Sequence, residues 1–390
     1  MAQLSVCAPL RISAWYWLNA APRDEWERDF HKMADLGFTH VDLCWGLDAA
    51  AWVIRVEDTK YALEASRRAG LGAYFVVWHP VHNSLPRSAE FQQVDAAGQL
   101  RFAFNTFNAR WRETQWKEYL QTLARLYGSH PAFAGYIFDD SFGIGPIHGI
   151  GGSGGAPSER YISYSEDDLH RFGKTPPKQP SDPKWAAWTE ARGGWWGDWA
   201  RDTNRFIREI DPNPQHDVYL EDEQYVLSQA ARDATGVDFG RMARAFDAVG
   251  AYTEPRWDDK PDSSRLAVEQ TRSVLEKTRA AIGPDKKIIY TFWAGNILEL
   301  RTPGPAKYPT VEQIRDICEA ALKSGIRHLD MYGWRIGDFL VTDENWPQKR
   351  PPAKGPYPLT DPFPGKYLYD RPELHARLGE YLRELKRRQN

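Results

Sequence analysis

The chain has 390 residues, of which 42% are hydrophobic and 26% are charged, an ordinary balance for a globular protein. Its 50 basic and 53 acidic residues give a formal net charge of −3, which argues against a broad cationic surface for nucleic acid or an anionic membrane. No apolar run approaches the roughly 18 residues that a membrane span requires. We therefore expect neither nucleic acid nor a membrane as a partner.

Taken in chain order, short apolar runs alternate with amphipathic helices eight times. Strands are predicted at 11–18, 39–45, 71–79, 133–140, 217–222, 246–254, 287–293 and 327–334. Helices are predicted at 22–36, 58–69, 111–127, 185–210, 228–245, 264–282, 310–323 and 372–388. The strands are apolar on both faces, as in a parallel sheet covered by helices. The pattern predicts a single-domain (β/α)8 TIM barrel and disfavours an open doubly wound sheet, because no glycine-rich dinucleotide turn follows the first strand.

Two connections interrupt this regularity. The first, an excursion over 143–184 after the fourth strand, begins with the glycine-rich sequence GIGPIHGIGGSGGAP, which lacks the Gly-Lys-Ser/Thr ending of a phosphate loop. The second is a proline-rich connection over 338–371, before the last helix. Both follow strands, so we expect them at the face where barrel enzymes carry their chemistry, the first as a loop or lid.

The cysteines and the N-terminus bear on redox state and location. Cys7, Cys44 and Cys318 are far apart and lack metal-ligand spacing, so we expect reduced thiols, with no metal and no cofactor. The sequence MAQLSVCAPL has no charged segment followed by an apolar one, so we expect no secretory signal in this chain. That favours a cytoplasmic protein by default, or a periplasmic or secreted one if a signal was removed.

Carboxylates follow three consecutive predicted strands. Asp139 and Asp140 end the fourth strand, Glu221 ends the fifth and Glu254 ends the sixth. Glycoside cleavage needs one carboxylic acid to protonate the leaving oxygen and a second carboxylate to attack the anomeric carbon or activate water. We predict these four as candidate catalytic residues, although each could instead cap a helix or pair with a cation.

Aromatic residues are abundant, with 17 Trp, 18 Tyr and 17 Phe. Some must fill the core, and others suit flat platforms that stack against sugars. Substrate-contacting roles are predicted for residues at the strand ends, namely Trp45, Trp78, His79, Tyr252, Trp293, Asn296, Tyr332, Trp334 and Arg335. The plainer alternative for Asp330 on the last strand is an ion pair with Arg335 or Arg327.

Two segments resemble the (β/α)8 glycoside hydrolase clan that includes the bacterial β-galactosidases. GYIFDDSFG at 135–143 resembles the strand-four signature Gly-Trp-x-x-Asp-Asn-Glu-Tyr-Gly, and DMYGWRIG at 330–337 is similar to the strand-eight Tyr/Phe-x-Trp-Arg stretch. The resemblance implies a TIM barrel acting on glycosides, with a sugar platform at Trp334 and a hydroxyl-contacting role at Asp140.

The departures from this signature fall on the catalytic positions. The family's acid/base Glu corresponds to Ser141, and its strand-seven nucleophile corresponds to a position near Thr291. Since neither residue is a carboxylate, catalysis has been lost or the pair has moved. We favour relocation: Asp139 or Asp140 would be one carboxylate and Glu221 or Glu254 the other, acting on an oligosaccharide, polysaccharide or glycoside.

Two other functions remain open at this stage. A metal-dependent sugar isomerase or epimerase would use His79, Asp140, Glu221 and Glu254 to bind Mn²⁺ or Mg²⁺. A non-catalytic carbohydrate-binding barrel would explain Ser141 and Thr291 directly.

Overall fold

The computed structural model confirms the predicted barrel. It describes residues 9–45, 50–77, 89–138, 164–221, 236, 238–255, 257, 262–295, 308–336 and 367–389. Eight parallel strands close on themselves in the order β1-β10-β9-β8-β7-β6-β3-β2. They are β1 (Arg11–Trp17), β2 (His40–Cys44), β3 (Gly72–Val77), β6 (Phe133–Phe138), β7 (Asp217–Leu220), β8 (Ala248–Thr253), β9 (Lys287–Trp293) and β10 (His328–Arg335). Each strand matches a predicted one to within two residues at either end of its described part.

Helices follow the strands and cover the outside of the barrel. Their bounds are α1 (Arg23–Leu36), α2 (Ala51–Ile54), α3 (Val56–Arg68), α4 (Ala109–Trp111), α5 (Lys117–Tyr127), α6 (Glu166–Phe172), α7 (Trp185–Arg208), α8 (Phe239–Ala243), α9 (Ser263–Ile282), α10 (Val311–Lys323) and α11 (Pro372–Gln389). A π-helical turn over Arg112–Trp116 joins α4 to α5. Local sequence explains several ends: Thr310 and Gln313 form a capping box at the start of α10, and Gly37 ends α1 in the left-handed conformation.

The long connections are described only in part. Between β3 and α4 the chain forms an antiparallel hairpin of β4 (Gln92–Val94) and β5 (Leu100–Phe104), which the sequence pattern did not predict. Of the excursion predicted over 143–184, the described portion from 164 onward contains α6, and 143–163 lie outside the described residues. Most of the connection predicted over 338–371 also lies outside them.

Alternation along the strands divides the side chains between two cores. The outer core, between the sheet and the helices, contains most of the aromatic residues, including Trp45, Trp116 and Trp334. The inner core fills the barrel and contains Trp15 and Tyr332 among others. The interior is therefore packed with side chains, as is usual for a barrel of eight strands.

Within the described residues, no helix has both the length and the apolar character needed to cross a membrane.

Candidate active site at the C-terminal mouth

Glu221 is the best-placed carboxylate at the C-terminal end of the barrel, here called the mouth. It follows the last residue of β7, and its side chain is buried, with the residue only 4% exposed. Its backbone N–H donates to the carbonyl oxygen of Phe138 at 2.8 Å. Phe138 ends the described part of β6 and directly precedes Asp139 in the chain. The ladder between β6 and β7 thus holds Glu221 beside the strand end that leads into Asp139 and Asp140.

Aromatic rings lie on the side of the mouth formed by β9, β10 and β1. The ring centroids of Trp293 and Tyr332 are 4.5 Å apart, and those of Tyr332 and Trp15 are 4.8 Å apart. Gly295 makes this packing feasible, because a Cβ atom there would approach Trp293 Nε1 to 2.9 Å and the Tyr367 ring to 3.1 Å. Trp293 and Tyr332, two of the predicted substrate contacts, are therefore neighbours at the inner end of the mouth.

Glu254 follows β8 and is partly exposed. Its Oε1 lies 3.4 Å from the hydroxyl group of Tyr252, the last inward-facing residue of the same strand, which makes at most a long hydrogen bond. Glu254 therefore lies at the same end of the barrel as Glu221, on the adjacent strand.

Deeper in the barrel, two aspartates that were not predicted as site residues are fully buried. Asp42 lies on β2 and Asp330 on β10, and these two residues are here called the carboxyl pair. Asp330 also accepts hydrogen bonds from Ser13 Oγ at 2.9 Å, Trp15 Nε1 at 2.9 Å and Thr291 Oγ1 at 3.0 Å. The predicted ion pair of Asp330 with Arg335 or Arg327 is therefore wrong, since hydroxyl and indole groups bind this carboxylate instead.

The opposite end of the interior holds an N-terminal charge cluster, defined by Arg11, Tyr74, Asp217 and Lys287. Asp217 accepts from Arg11 at 2.6 Å and from the Tyr74 hydroxyl at 2.8 Å, and it pairs with Lys287. Burial alone would raise the pKa of Asp217, but Lys287 and Arg11 hold it below its ordinary value. Cations and carboxylate thus neutralise one another where the strands begin.

Three of the predicted sugar contacts lie outside the barrel interior. Trp45 packs in the outer core and donates through Nε1 to Thr59 at 3.1 Å. Trp334 is fully buried there and stacks on His375 with ring centroids 5.2 Å apart. Arg335 pairs with Glu25 and Asp29 of α1, at 2.7 and 2.8 Å. None of the three presents its side chain to the mouth, so the roles predicted for Trp45, Trp334 and Arg335 are not supported.

The remaining predicted residues lie outside the described part of the chain. They are Asp139, Asp140, Trp78, His79 and Asn296, together with Ser141. Thr291, where the family resemblance placed a nucleophile, is buried inside β9 and donates to Asp330. Thr291 lies two residues before Trp293 on the same strand, so its side chain is part of the packed barrel interior.

A groove of about 790 Å³ lies where the connections after β3 and β6 meet. Phe91 and Phe107 line it together with Arg110, Arg171 and Asp167. Arg110 pairs with Glu90 at 3.0 Å, and Arg171 pairs with Asp198. The groove therefore lies beside the mouth, and both of these arginines already have an acidic partner.

A metal centre has no support in the part of the chain that the structure describes, where no cluster of three or more His, Cys, Asp or Glu residues could hold an ion. Two of the four ligands considered for an isomerase, His79 and Asp140, lie outside that part.

Comparison with solved structures shows the same fold in glycoside hydrolases. A β-galactosidase from Rahnella sp. R3 superposes with a TM-score of 0.66 at 14% identity, over 99% of this chain and 57% of that one. A β-galactosidase from the haloarchaeon Halorubrum lacusprofundi gives 0.62 at 17% identity, over 84% and 53%. The chain thus spans a little over half the length of these β-galactosidases.

A shorter neighbour is matched over nearly its whole length. The glycoside hydrolase domain of PgaB from Bordetella bronchiseptica gives a TM-score of 0.54 at 14% identity, over 85% of this chain and 95% of that one. No family model and no curated protein matches the sequence. At these identities the likeness shows the (β/α)8 fold of glycoside hydrolases, and the function must be argued from the site.

Proposed function

We propose that the chain is a glycoside hydrolase that acts at the C-terminal mouth of the barrel, with Glu221 as the proton donor. The observation that carries the proposal is the position of Glu221: buried at the end of β7, and tied through its backbone to Phe138 beside the start of the Asp139–Asp140 segment. Removal from water favours the neutral form of a carboxylic acid, which is the form that a proton donor needs.

The second carboxylate comes from a neighbouring strand end. Glu254 is the candidate among the described residues, and Asp139 and Asp140 stay candidates from the sequence. Trp293, Tyr332 and Tyr252 supply ring faces and hydroxyl groups of the kind that bind saccharides. The Tyr252 hydroxyl group lies 3.4 Å from Glu254 Oε1, close enough to help orient this carboxylate towards a substrate.

The first experiment is a screen of synthetic glycosides and natural polysaccharides, with the product anomer followed by NMR. Glu221→Gln is expected to lower kcat by about 10²- to 10⁴-fold, because it removes the general acid and keeps the side-chain size. Glu209→Gln, at the exposed end of α7, is the matched control and should keep full activity. Wild-type turnover in Glu221→Gln would exclude Glu221 as the proton donor.

Separate substitution of the other acids identifies the second carboxylate. Glu254→Gln, Asp139→Asn and Asp140→Asn are compared on the substrate that the screen finds, and the partner is the one whose loss abolishes turnover while the protein stays folded. The anomer of the first product then gives the stereochemistry, with a carboxyl separation of about 5–5.5 Å expected for retention and about 6.5–9.5 Å for inversion.

A non-catalytic carbohydrate-binding barrel is the second candidate. It is favoured by Thr291, a buried hydroxyl engaged by Asp330 at the position where the resembling enzymes carry a nucleophile. Calorimetry with oligosaccharides, run beside the product assay, separates the two functions, since this candidate requires binding without turnover.

A further inference from the structure

The groove of about 790 Å³ beside the mouth is formed by two connections at the C-terminal face. The connection after β3 supplies Phe91 and Phe107, and the connection after β6 supplies Ser165 and part of α6. β3 pairs with β6, and β6 pairs with β7, the strand that Glu221 follows. Connections that follow the strands of a barrel lie at the end where its chemistry takes place. A chain molecule bound at the mouth can therefore extend along the same face into the groove.

Hydrogen bonds join the two connections and fix the shape of the groove. Asn105, before α4, donates through Nδ2 to Ser165 Oγ at 2.9 Å and to Asp168 Oδ2 at 3.0 Å. Asn108, the N-cap residue of α4, donates through Nδ2 to Asp167 of α6. These bonds hold the start of α4 against the start of α6. Walls that are already in place avoid the entropy cost of ordering them when a ligand binds.

Charged side chains of both signs line the groove. Among the described lining residues, three are basic and three are acidic, namely Arg110, Arg112, Arg171, Glu90, Glu166 and Asp167. Each arginine is already paired with a carboxylate, as Arg112 is with Asp202 at 2.8 Å. An anionic ligand would have to displace these carboxylates or approach the acidic residues of the wall. The groove therefore suits an uncharged ligand.

The groove offers the groups that bind an uncharged sugar. A guanidinium group has five N–H donors, and Arg110, whose side chain is 71% exposed, donates one of them to Glu90. Exposed Glu166 supplies carboxylate acceptors for hydroxyl groups. Phe91 and Phe107 add apolar surface, on which the C–H groups of a sugar ring can pack. The volume is within the roughly 300–1,000 Å³ that is usual for a ligand site.

We propose that the groove is a second carbohydrate-binding site, which holds part of a neutral oligosaccharide or polysaccharide chain whose other part lies at the mouth. The inference rests on the proposed function for the saccharide at the mouth. It adds that the substrate is a chain long enough to reach both places. Longer chains should then bind more tightly, because the second contact is intramolecular once the first has formed.

The test fills the groove with a bulky side chain. Ala109, the first residue of α4, is exposed and lines the groove, so Ala109→Trp places an indole ring there. Ala280→Trp adds the same ring to an exposed position of α9 and is the matched control. Both changes are made in the Glu221→Gln background, so that bound chains stay intact. Calorimetry measures affinity for β-1,4-linked gluco-, manno- and galacto-oligosaccharides, from the disaccharide to the hexasaccharide.

Chain length is the variable that reports on the groove. With the groove open, affinity for at least one of these series should rise about tenfold or more from the disaccharide to the hexasaccharide. Ala109→Trp should abolish this rise, and Ala280→Trp should keep it. If Ala109→Trp does not fold, the double variant Arg110→Ala/Glu166→Ala replaces it and should reduce the rise.

Three results would overturn the inference. One is the same rise with the groove filled as with it open, and another is the lack of any rise with the groove open. The third is tighter binding of oligogalacturonates, which are acidic chains, than of every neutral series.

The outcomes separate this inference from the proposed function. If no glycoside is cleaved but Ala109→Trp loses its affinity for long chains, the hydrolase is refuted and the groove remains a carbohydrate-binding site. If glycosides are cleaved and Ala109→Trp binds long chains as tightly as its parent does, the inference about the groove fails alone.

Discussion

The two ends of the barrel interior use charge in opposite ways. At the N-terminal end, Asp217 binds Arg11, Tyr74 and Lys287 together, so each charge has a counter-charge within hydrogen-bond distance. Above it, buried carboxyl groups lie on β2 and β10 and directly after β7, among aromatic rings. Matched charges at one end suit stability, while the acids at the other end suit the proton chemistry that we propose for the mouth.

The largest effect on this comparison is expected from Asp217→Asn. It leaves Arg11 and Lys287 partly buried without their counter-charge, so the free energy of unfolding should fall by about 3–5 kcal/mol. Urea denaturation measures this loss. Activity per folded molecule should be unchanged, because the cluster is at the far end of the barrel.

The control for Asp217 is an ion pair on the surface. Asp58→Asn removes the partner of Arg23, whose side chain is half exposed, and should cost less than about 1 kcal/mol. An equal decrease in the free energy of unfolding in the two variants would show that the N-terminal charge cluster stabilises the protein no more than a surface ion pair does.

A smaller effect is expected from Trp293→Phe at the mouth. The phenyl ring of the variant is smaller than the indole ring and packs less well against Tyr332. The affinity for a saccharide should therefore fall about tenfold, equivalent to about 1.4 kcal/mol. Calorimetry with the ligand from the screen measures it. Trp45→Phe, in the outer core, should lower stability through the lost bond to Thr59 and leave affinity unchanged. The reverse pattern would place the ligand on the outside of the barrel.

The smallest effect concerns acid pH. Since the pKa of Asp217 is lower in the folded protein than in the unfolded chain, the unfolded chain binds more protons between the two values. The stability that Asp217 contributes is therefore present above its unfolded pKa and disappears as the pH falls through its folded pKa. Unfolding free energies from pH 5 to pH 2 should fall less steeply in Asp217→Asn than in the wild type, and parallel curves would contradict this origin.

The fold was predictable because every barrel strand is a short apolar run between clear breaks, as in YTFW before Ala294 or the run ending at Cys44. The hairpin of β4 and β5 was not, since its two strands are only three and five residues long and lack a distinctive turn sequence. The pattern of the strands was therefore enough to predict the barrel. The structure of the connections depends on tertiary contacts, which the pattern does not contain.

The site was predicted less well, for a reason visible on β10. Strict alternation would place Asp330, Tyr332 and Trp334 on one face. The pairing with β1 shifts between Ala14 and Tyr16, where Arg335 takes the partner position, and the shift sends Trp334 to the outer core. A single sequence carries no signal for such an irregularity.

Asp42, by contrast, did have a signal. A charged residue in the middle of the apolar run THVDLCW is unusual for a buried strand, and the same period-2 count that places Asp42 inside the barrel places Trp45 outside. Asp330 lies near the other end of the sequence, and the closure of the sheet through β1 is what brings β2 and β10 to either side of one strand.

The packed interior also has a kinetic consequence. Because Trp15, the carboxyl pair and the N-terminal charge cluster fill the described part of the barrel below the mouth, these residues leave no route through it to the opposite side. Whatever a hydrolase releases at this mouth must depart the way its substrate came in. The released sugar and the next substrate molecule would therefore compete for the same mouth. Inhibition by the product should be competitive with the substrate.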